Sequence, residues 1–387
     1  MPQTDHTTKT IKYGFVKPNL IRAFRVIDRV GKAVIMPFLP QIKAADFKPS
    51  RILLVNLAHI GDLLLTTPAI HALRSKFPAA NITALVAPWS KDVIKHNPHI
   101  NNIITYNASW WDRSRGNPYF VLPEYINLVK IIRQGKFDCI INFKSFFQEN
   151  LLGAMAGIPC RIGYGIYGGD FLQSSCIDYY PQHTVLQHLE LISALDVTFS
   201  DPCVEIFTSY EDEKFADECL IQIQNKPFVS MHIGAGAPAK IWHWHKFAQL
   251  AVLIHKRYGF ATVFLGGKED LEYIHKAVKI LQHPYCITAG ITNITQSAAI
   301  LRRAKLFIGN DSGPAHLASA VNVPVIVLFS GVNLSEMWRP WGKNVFVIQN
   351  KPSCYLCGLK ECNQPKHICM DNITVEDVIE KAQLVIG

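Results

Sequence analysis

Phe307-Ile-Gly-Asn-Asp-Ser-Gly-Pro-Ala-His-Leu-Ala-Ser-Ala320 joins a strand to a helix through one short polar turn. Lys305 to Ile308 reads as a buried strand, and the helix runs on to about Val321. Pro314 suits the first helical turn, where its missing N–H would be unbonded anyway, and Asp311 or Ser312 can cap the free amides. A helix that opens beside a strand end with Ser-Gly presents bare N–H groups and a positive dipole end, the elements of a phosphate site. His316 follows Ser312 by one turn and points back toward the same place. Val323 to Phe329 then closes a βαβ unit, so a phosphate-bearing ligand is expected at the carboxyl edge of a parallel sheet.

Working outward, the same alternation recurs twice. Arg51-Ile-Leu-Leu-Val-Asn-Leu57 is a continuous apolar run, the mark of a parallel strand buried on both faces. An amphipathic helix over Asp62 to Phe77 follows, then strands at Ile82–Ala87, Ile103–Tyr106 and Cys139–Phe143, with a helix around Tyr125 to Arg133. A second series opens at Phe228-Val-Ser-Met-His-Ile-Gly234 and runs through a helix at His245–Tyr258, a strand at Ala261–Leu265 and a helix at Asp270–Leu281 into the first segment. Alternating strands and helices of this kind build doubly wound α/β domains. The expected division is a leader over 1–45, Rossmann-like domains over 46–205 and 206–350, and a cysteine-rich tail with a terminal helix over 351–387.

With 387 residues, 49% hydrophobic and 18% charged, the chain has ample core material for two domains. It has no apolar run long enough to span a bilayer, and the polar Met1 to Lys12 lacks the apolar core of a signal peptide, so a cytoplasmic protein is expected. The ten cysteines are then mostly free thiols. The net charge of +9 is concentrated at the start, where residues 9–32 carry seven bases against one acid. As a helix from Pro18 to about Met36, this leader sets Leu20, Phe24, Ile27 and Val34 on one face and Arg22, Arg25, Arg29 and Lys32 on the opposite one. Such a helix either packs on the body with its charged face in water or lies on an anionic bilayer, and the two are compatible. No nucleic-acid reader module accompanies the basic patch, so nucleic acid is not an expected partner.

The Asp-Ser-Gly-Pro-Ala-His run from Asp311 to His316, the later Trp338-Arg-Pro-Trp341, and the loops at Asn56–Asp62, Ser230–Trp242 and Leu265–Asp270 together resemble glycosyltransferase family 9, the ADP-heptose:lipopolysaccharide heptosyltransferases. The resemblance runs from about Arg51 to the C-terminus and leaves the leader outside. It implies a GT-B architecture, two Rossmann-like domains facing across a cleft, and inverting transfer of heptose from ADP-heptose to the lipopolysaccharide inner core at the inner membrane surface. It implies Asp62 as general base, although Asp at a helix start also serves as a cap. His59 in the same loop is no family requirement, and solvent contact suffices for it. By the same resemblance Lys240 meets a phosphate and Glu269 the ribose hydroxyls, although each could equally be an exposed lysine or a helix-start acid. Gly234 and Gly236 would let the backbone approach an anion. This chain has His243 where the family usually has Pro, and Ala237-Pro238 where hydroxyls are frequent.

Asp311 beside a diphosphate is electrostatically unfavourable, so it suits loop amides or sugar hydroxyls better, which leaves Ser312, Gly313 and His316 for phosphate. A protonated His316 would stabilise the departing ADP. With these groups present no metal cofactor is required, and no Asp-x-Asp pair is present to hold one. Trp111, Arg113, Lys144 and Arg161 are the candidate contacts to an anionic acceptor. Cys354, Cys357, Cys362 and Cys369 resemble a zinc or iron–sulfur ligand set but lack the second tight C-x-x-C, which favours structural or oxidisable thiols. Two rivals remain: another nucleotide sugar or acceptor within the family, and a non-catalytic membrane-surface binder. A dinucleotide oxidoreductase is disfavoured, because Gly61 is the one glycine after the first strand.

Overall fold

Arg51-Ile-Leu-Leu-Val-Asn56 has no alternation of apolar and polar residues, and the computed structural model, which describes residues 18–111 and 121–386, buries both of its faces as β1 (Arg51–Asn56). Its sheet is completed by β2 (Asn81–Val86), β3 (Asn102–Thr105), β4 (Cys139–Asn142), β5 (Cys160–Tyr164) and β6 (Ser175–Ile177). All neighbours are parallel, in the order β3-β2-β1-β4-β5-β6. Leu53, Val55, Leu85 and Ile140 of the sheet pack against Leu128, Val129, Ile132 and Leu152 of the covering helices.

The chain divides into two units, Met1–Pro202 and Cys203–Gly387. The second has its own parallel sheet of β7 (Phe228–His232), β8 (Ala261–Leu265), β9 (Tyr285–Ile287), β10 (Leu306–Asn310), β11 (Val325–Phe329) and β12 (Val345–Gln349). Read from one edge its order is β9-β8-β7-β10-β11-β12, the same winding as the first. In such sheets the strand order reverses once, and the crevice outside the carboxyl ends at that reversal takes the ligand. The reversal lies between β1 and β4 in the first unit and between β7 and β10 in the second.

Three sequence expectations change. The helix expected over Asp62 to Phe77 is two, Ile60–Leu64 and Thr67–Lys76. Pro68 cannot continue a helix from Leu64, but it fits the first turn of a new one. The tail beyond residue 350 is not a body of its own. Met370, Ile373, Val378 and Ile379 join the core of the second unit, and the buried Trp242 indole donates to the Ile373 carbonyl at 2.8 Å. The leader helix, Pro18–Val34, packs through Phe24, Asp28 and Gly31 rather than through Leu20, Ile27 and Val34, which are exposed. The Asp28 carboxylate, buried, accepts the Gly169 amide at 2.7 Å.

Candidate active site

At the first reversal, β1 ends on Asn56, whose buried amide organises the following turn. It donates to the Thr66 hydroxyl at 2.8 Å and to the Asp62 carbonyl at 3.2 Å, and its oxygen accepts the Ala58 amide. This holds Asp62 in the first turn of the short helix with its two carboxylate oxygens on different partners. Oδ2 accepts the His59 amide at 3.3 Å, and Oδ1 accepts Lys144 Nζ at 2.6 Å. Lys144 comes from the turn after β4, so the reversal itself brings the pair together. Both side chains are largely buried, with Lys144 10% and Asp62 16% exposed. Burial alone would raise the Asp62 pKa. The Lys144 charge and hydrogen bond, assisted by His59, outweigh it and hold the carboxyl below its usual range. Asp62 is therefore both the cap and a charged, partly accessible carboxylate.

Aromatic side chains surround this pair. Trp89 donates its indole N–H to the Ala58 carbonyl at 3.0 Å. The His59 ring meets the edge of Trp111 at 5.7 Å, Trp111 meets Phe146 at 5.1 Å, and Phe146 stacks on Tyr167 at 4.4 Å. Trp111 is fixed from behind by its indole N–H on Glu149 at 3.1 Å. Glu149 is fully buried, and burial pushes its carboxyl up to about 7 against the pull of Trp111, the Phe146 amide, Trp110 and Lys144.

In the second unit, Asn310 at the end of β10 does what Asn56 does in the first. Its amide donates to the Ile233 and Gly234 carbonyls at 2.7 and 3.1 Å, and its oxygen accepts the Trp242 amide at 3.0 Å, tying the turn after β7 to β10. Lys240 Nζ lies 2.5 Å from the Asp311 carboxylate. Ser312 occupies the N-cap of the helix Gly313–Ala320, yet its hydroxyl bonds His232 Nδ1 at 2.9 Å and the Asn310 carbonyl at 3.0 Å and makes no cap bond to the first turn. His232 Nε2 in turn faces the Asp270 carboxylate at 3.2 Å, which also accepts the Gly267 amide at 2.8 Å. Burial would raise the Asp270 pKa, and His232 together with that amide lowers it below the usual carboxylate range. His316 is buried one turn into the helix.

The sequence pattern of glycosyltransferase family 9 (heptosyltransferase) matches residues 125–368. The chain belongs to glycosyltransferase family 9. It is 28% identical to lipopolysaccharide heptosyltransferase 3 of Escherichia coli over 74% of this chain and 84% of that one. Among solved structures it resembles a family 9 glycosyltransferase from Veillonella parvula (TM-score 0.74, 24% identity, 90% of this chain and 99% of that one). It also resembles the E. coli ADP-heptose LPS heptosyltransferase II (TM-score 0.70, 20% identity, 87% and 98%). The fold is that of the GT-B heptosyltransferases, and the protein is a glycosyltransferase.

For this heptosyltransferase the residues singled out in the sequence divide clearly. Asp62 and Lys144 come together, as do Lys240, Asp311, Ser312, Gly313 and His316, while Glu269 is exposed beside Gly267 at the end of β8. Arg113 lies outside the described residues. Arg161 is withdrawn as an acceptor contact: it is buried and donates to the carbonyls of Leu172, Ile158, Pro159 and Pro40. Gly234 also acquires a different reason. A Cβ there would sit 1.8 Å from the Asp270 carboxylate, so that glycine makes room for Asp270 rather than for an anion. His232, Asp270 and Asn310 escaped sequence reasoning, although the acid in Gly-Gly-Lys-Glu-Asp270 was on view one place beyond Glu269. The Cys369 thiol is raised by burial, against a bond with the Gly331 backbone, with Cys362, Cys354 and Cys357 adding to the rise. Among the described residues, no three of them bring their sulfurs close enough to share one ion.

Proposed function

We propose that this family 9 enzyme transfers heptose from ADP-heptose to the lipopolysaccharide inner core with inversion, working from the cytoplasm at the inner membrane surface. The observation that carries the reading is the division of chemistry between the two strand reversals. One holds a charged carboxylate among half-buried aromatic rings, and the other holds a lysine beside the open first turn of a helix.

On the donor side, the amides of the first turn of Gly313–Ala320 and the Lys240 ammonium receive the diphosphate. Asp311 holds Lys240 in place, which resolves the presence of a carboxylate beside a phosphate site. The Asp270–His232 pair fixes the Ser312 hydroxyl, and Glu269 serves the ribose. His316 stands by the leaving group. These groups stabilise the negative charge that grows on ADP as the glycosidic bond breaks.

On the acceptor side, Asp62 removes the proton of the attacking hydroxyl. Its pairing with Lys144 keeps it ionised but makes it a weak base. An acceptor phosphate or carboxylate that draws Lys144 away raises the basicity of Asp62 at the moment the hydroxyl arrives. Trp111 and its aromatic neighbours give the sugar rings of the acceptor apolar faces to rest on.

The test is calorimetric titration with ADP, ADP-heptose and UDP-sugars, with and without EDTA, on wild type and Asp62→Asn. The expected outcome is selective, EDTA-insensitive binding of ADP-heptose, with turnover abolished in Asp62→Asn and donor affinity changed by a few fold at most. Preference for a UDP-sugar would replace the donor, and an active Asp62→Asn would remove the base.

A further inference from the structure

The leader helix Pro18–Val34 presents three different arcs. One is packed: Phe24 against Phe147 at 5.5 Å between ring centres, Asp28 under the Gly169 amide, and Gly31 so close to Phe171 that a Cβ would lie 2.5 Å from its ring. The second is basic and exposed, carrying Arg22, Arg25 and Arg29. The third is apolar and also exposed. Val26, Val30 and Val34, each one turn from the next, are 63%, 53% and 59% exposed, and Phe38 just beyond is 86% exposed. Along this third arc runs a groove of about 510 Å³, walled by Val26, Ile27 and Val30 on the helix and by Leu151, Ala154 and Met155 opposite.

A helix that only docks on its own domain needs one apolar arc, and this one has a second that faces water. Contiguous exposed apolar surface marks a site of interaction. The rim of arginines selects the kind of occupant: an apolar slot beside a cationic row complements an anionic head on an apolar tail. Among the described residues, no helix is long and apolar enough to cross a membrane, so contact of this sort is with the surface.

We propose that the groove between the leader helix and the helix Phe147–Ala156 seats one acyl chain of an anionic phospholipid, while Arg22, Arg25 and Arg29 meet the headgroups. The leader then lies in the plane of the bilayer with Val26, Val30, Val34 and Phe38 turned into it. This deepens the membrane-surface part of the proposed function and rests on it for the choice of leaflet alone.

The full chain is floated with phosphatidylglycerol/phosphatidylethanolamine vesicles and with neutral phosphatidylcholine vesicles. It is also titrated calorimetrically with monomeric lyso-phosphatidylglycerol. The expected result is preference for the anionic vesicles, weakened by salt, and one lysolipid per chain. Val26→Glu/Val30→Glu, at positions more than half exposed, lowers vesicle binding at least tenfold. Ala154→Trp, which fills the groove from the opposite wall, lowers lysolipid affinity at least tenfold with an unchanged circular dichroism spectrum. Equal binding to neutral vesicles would overturn the proposal, as would lysolipid binding that a folded Ala154→Trp leaves intact. Vesicle binding lost in Arg22→Gln/Arg29→Gln but kept in the Val26→Glu/Val30→Glu variant would reduce the contact to charge and overturn the groove. Turnover on a soluble saccharide acceptor is read separately on the same variants and is expected to be unchanged. Its absence in wild type would count against the proposed function, while the lipid titrations would still decide the groove.

Discussion

Glu149 offers the sharpest quantitative test of the acceptor-side structure. Its carboxyl is fully buried behind Trp111, and burial raises it from 4.5 to about 7. In the unfolded chain it titrates at about 4.5, so between pH 4.5 and 7 the unfolded state holds fewer protons than the folded one. Stability contributed by this group is therefore present at low pH and lost as pH rises, at ~1.4 kcal/mol per pH unit. The loss is about 3 kcal/mol when complete, and about 2.5 kcal/mol of it falls between pH 5 and pH 8. His188 works in the opposite direction over much of the same range. Burial first, and Lys144 next, lower its pKa to about 3, so its contribution is lost as pH falls below 6.5. Wild-type stability alone mixes these groups with others that titrate in the same range, such as His283, whose pKa burial lowers to about 4, and the difference between wild type and Glu149→Gln isolates the carboxyl. The substituted amide cannot ionise, and any pH-independent cost of rebuilding the bonds to Trp111 and Phe146 cancels between the two conditions. In urea unfolding followed by tryptophan fluorescence, Glu149→Gln should gain about 2–3 kcal/mol relative to wild type on going from pH 5 to pH 8. Parallel behaviour of the two proteins would refute the reasoning, since it would mean that water reaches Glu149 and that Trp111 is not held by a buried acid.

Lys144→Met removes the charge that offsets burial at Asp62, so the Asp62 carboxyl should titrate at higher pH and the acidic limb of the kcat/KM profile should move up. An unmoved limb would separate Asp62 from that ionisation. His232→Leu leaves the Asp270 carboxylate buried without its ring partner, which should cost ~1–3 kcal/mol in urea unfolding and weaken ADP binding through loss of the fixed Ser312 hydroxyl. Wild-type behaviour in both assays would show that the relay is ornamental. Gly234→Ala drives a methyl into Asp270 and should cost ~1–3 kcal/mol. Gly259→Ala, with nothing within 4 Å but a φ of +72°, is its control for backbone strain alone.

Much of the fold is legible in the chain because parallel strands buried on both faces must be apolar throughout. β1, β10 and β11 announce themselves almost entirely in this way, β7 and β8 do so despite the buried Ser230, His232 and Thr262, and the Gly-Pro helix start after β10 is fixed by local chemistry. The edge strands β6, β9 and β12 are not legible, because they are short or only partly buried, which weakens the apolar signal. Catalytic candidates stand out where a motif sits on one turn, as with Asp62 or Ser312. Their pairings do not, even where both members were candidates: Lys144 is 82 residues from Asp62, Lys240 is 71 from Asp311, and His232 is 80 from Ser312. Arg161 shows the converse error, since a guanidinium reads as a ligand group in sequence and here satisfies buried carbonyls.

The two-sheet α/β class, the phosphate-type turn after β10 and the carboxylate after β1 thus follow from the order of residues along the chain. Each is set by the periodicity or capping chemistry of near neighbours. The state of those groups comes only from the packed fold, because a carboxylate's charge depends on what the strand reversal brings within about 3 Å. The same holds for the face of the leader helix that meets water, because its apolar residues can be covered by the protein's own body or left for a lipid surface.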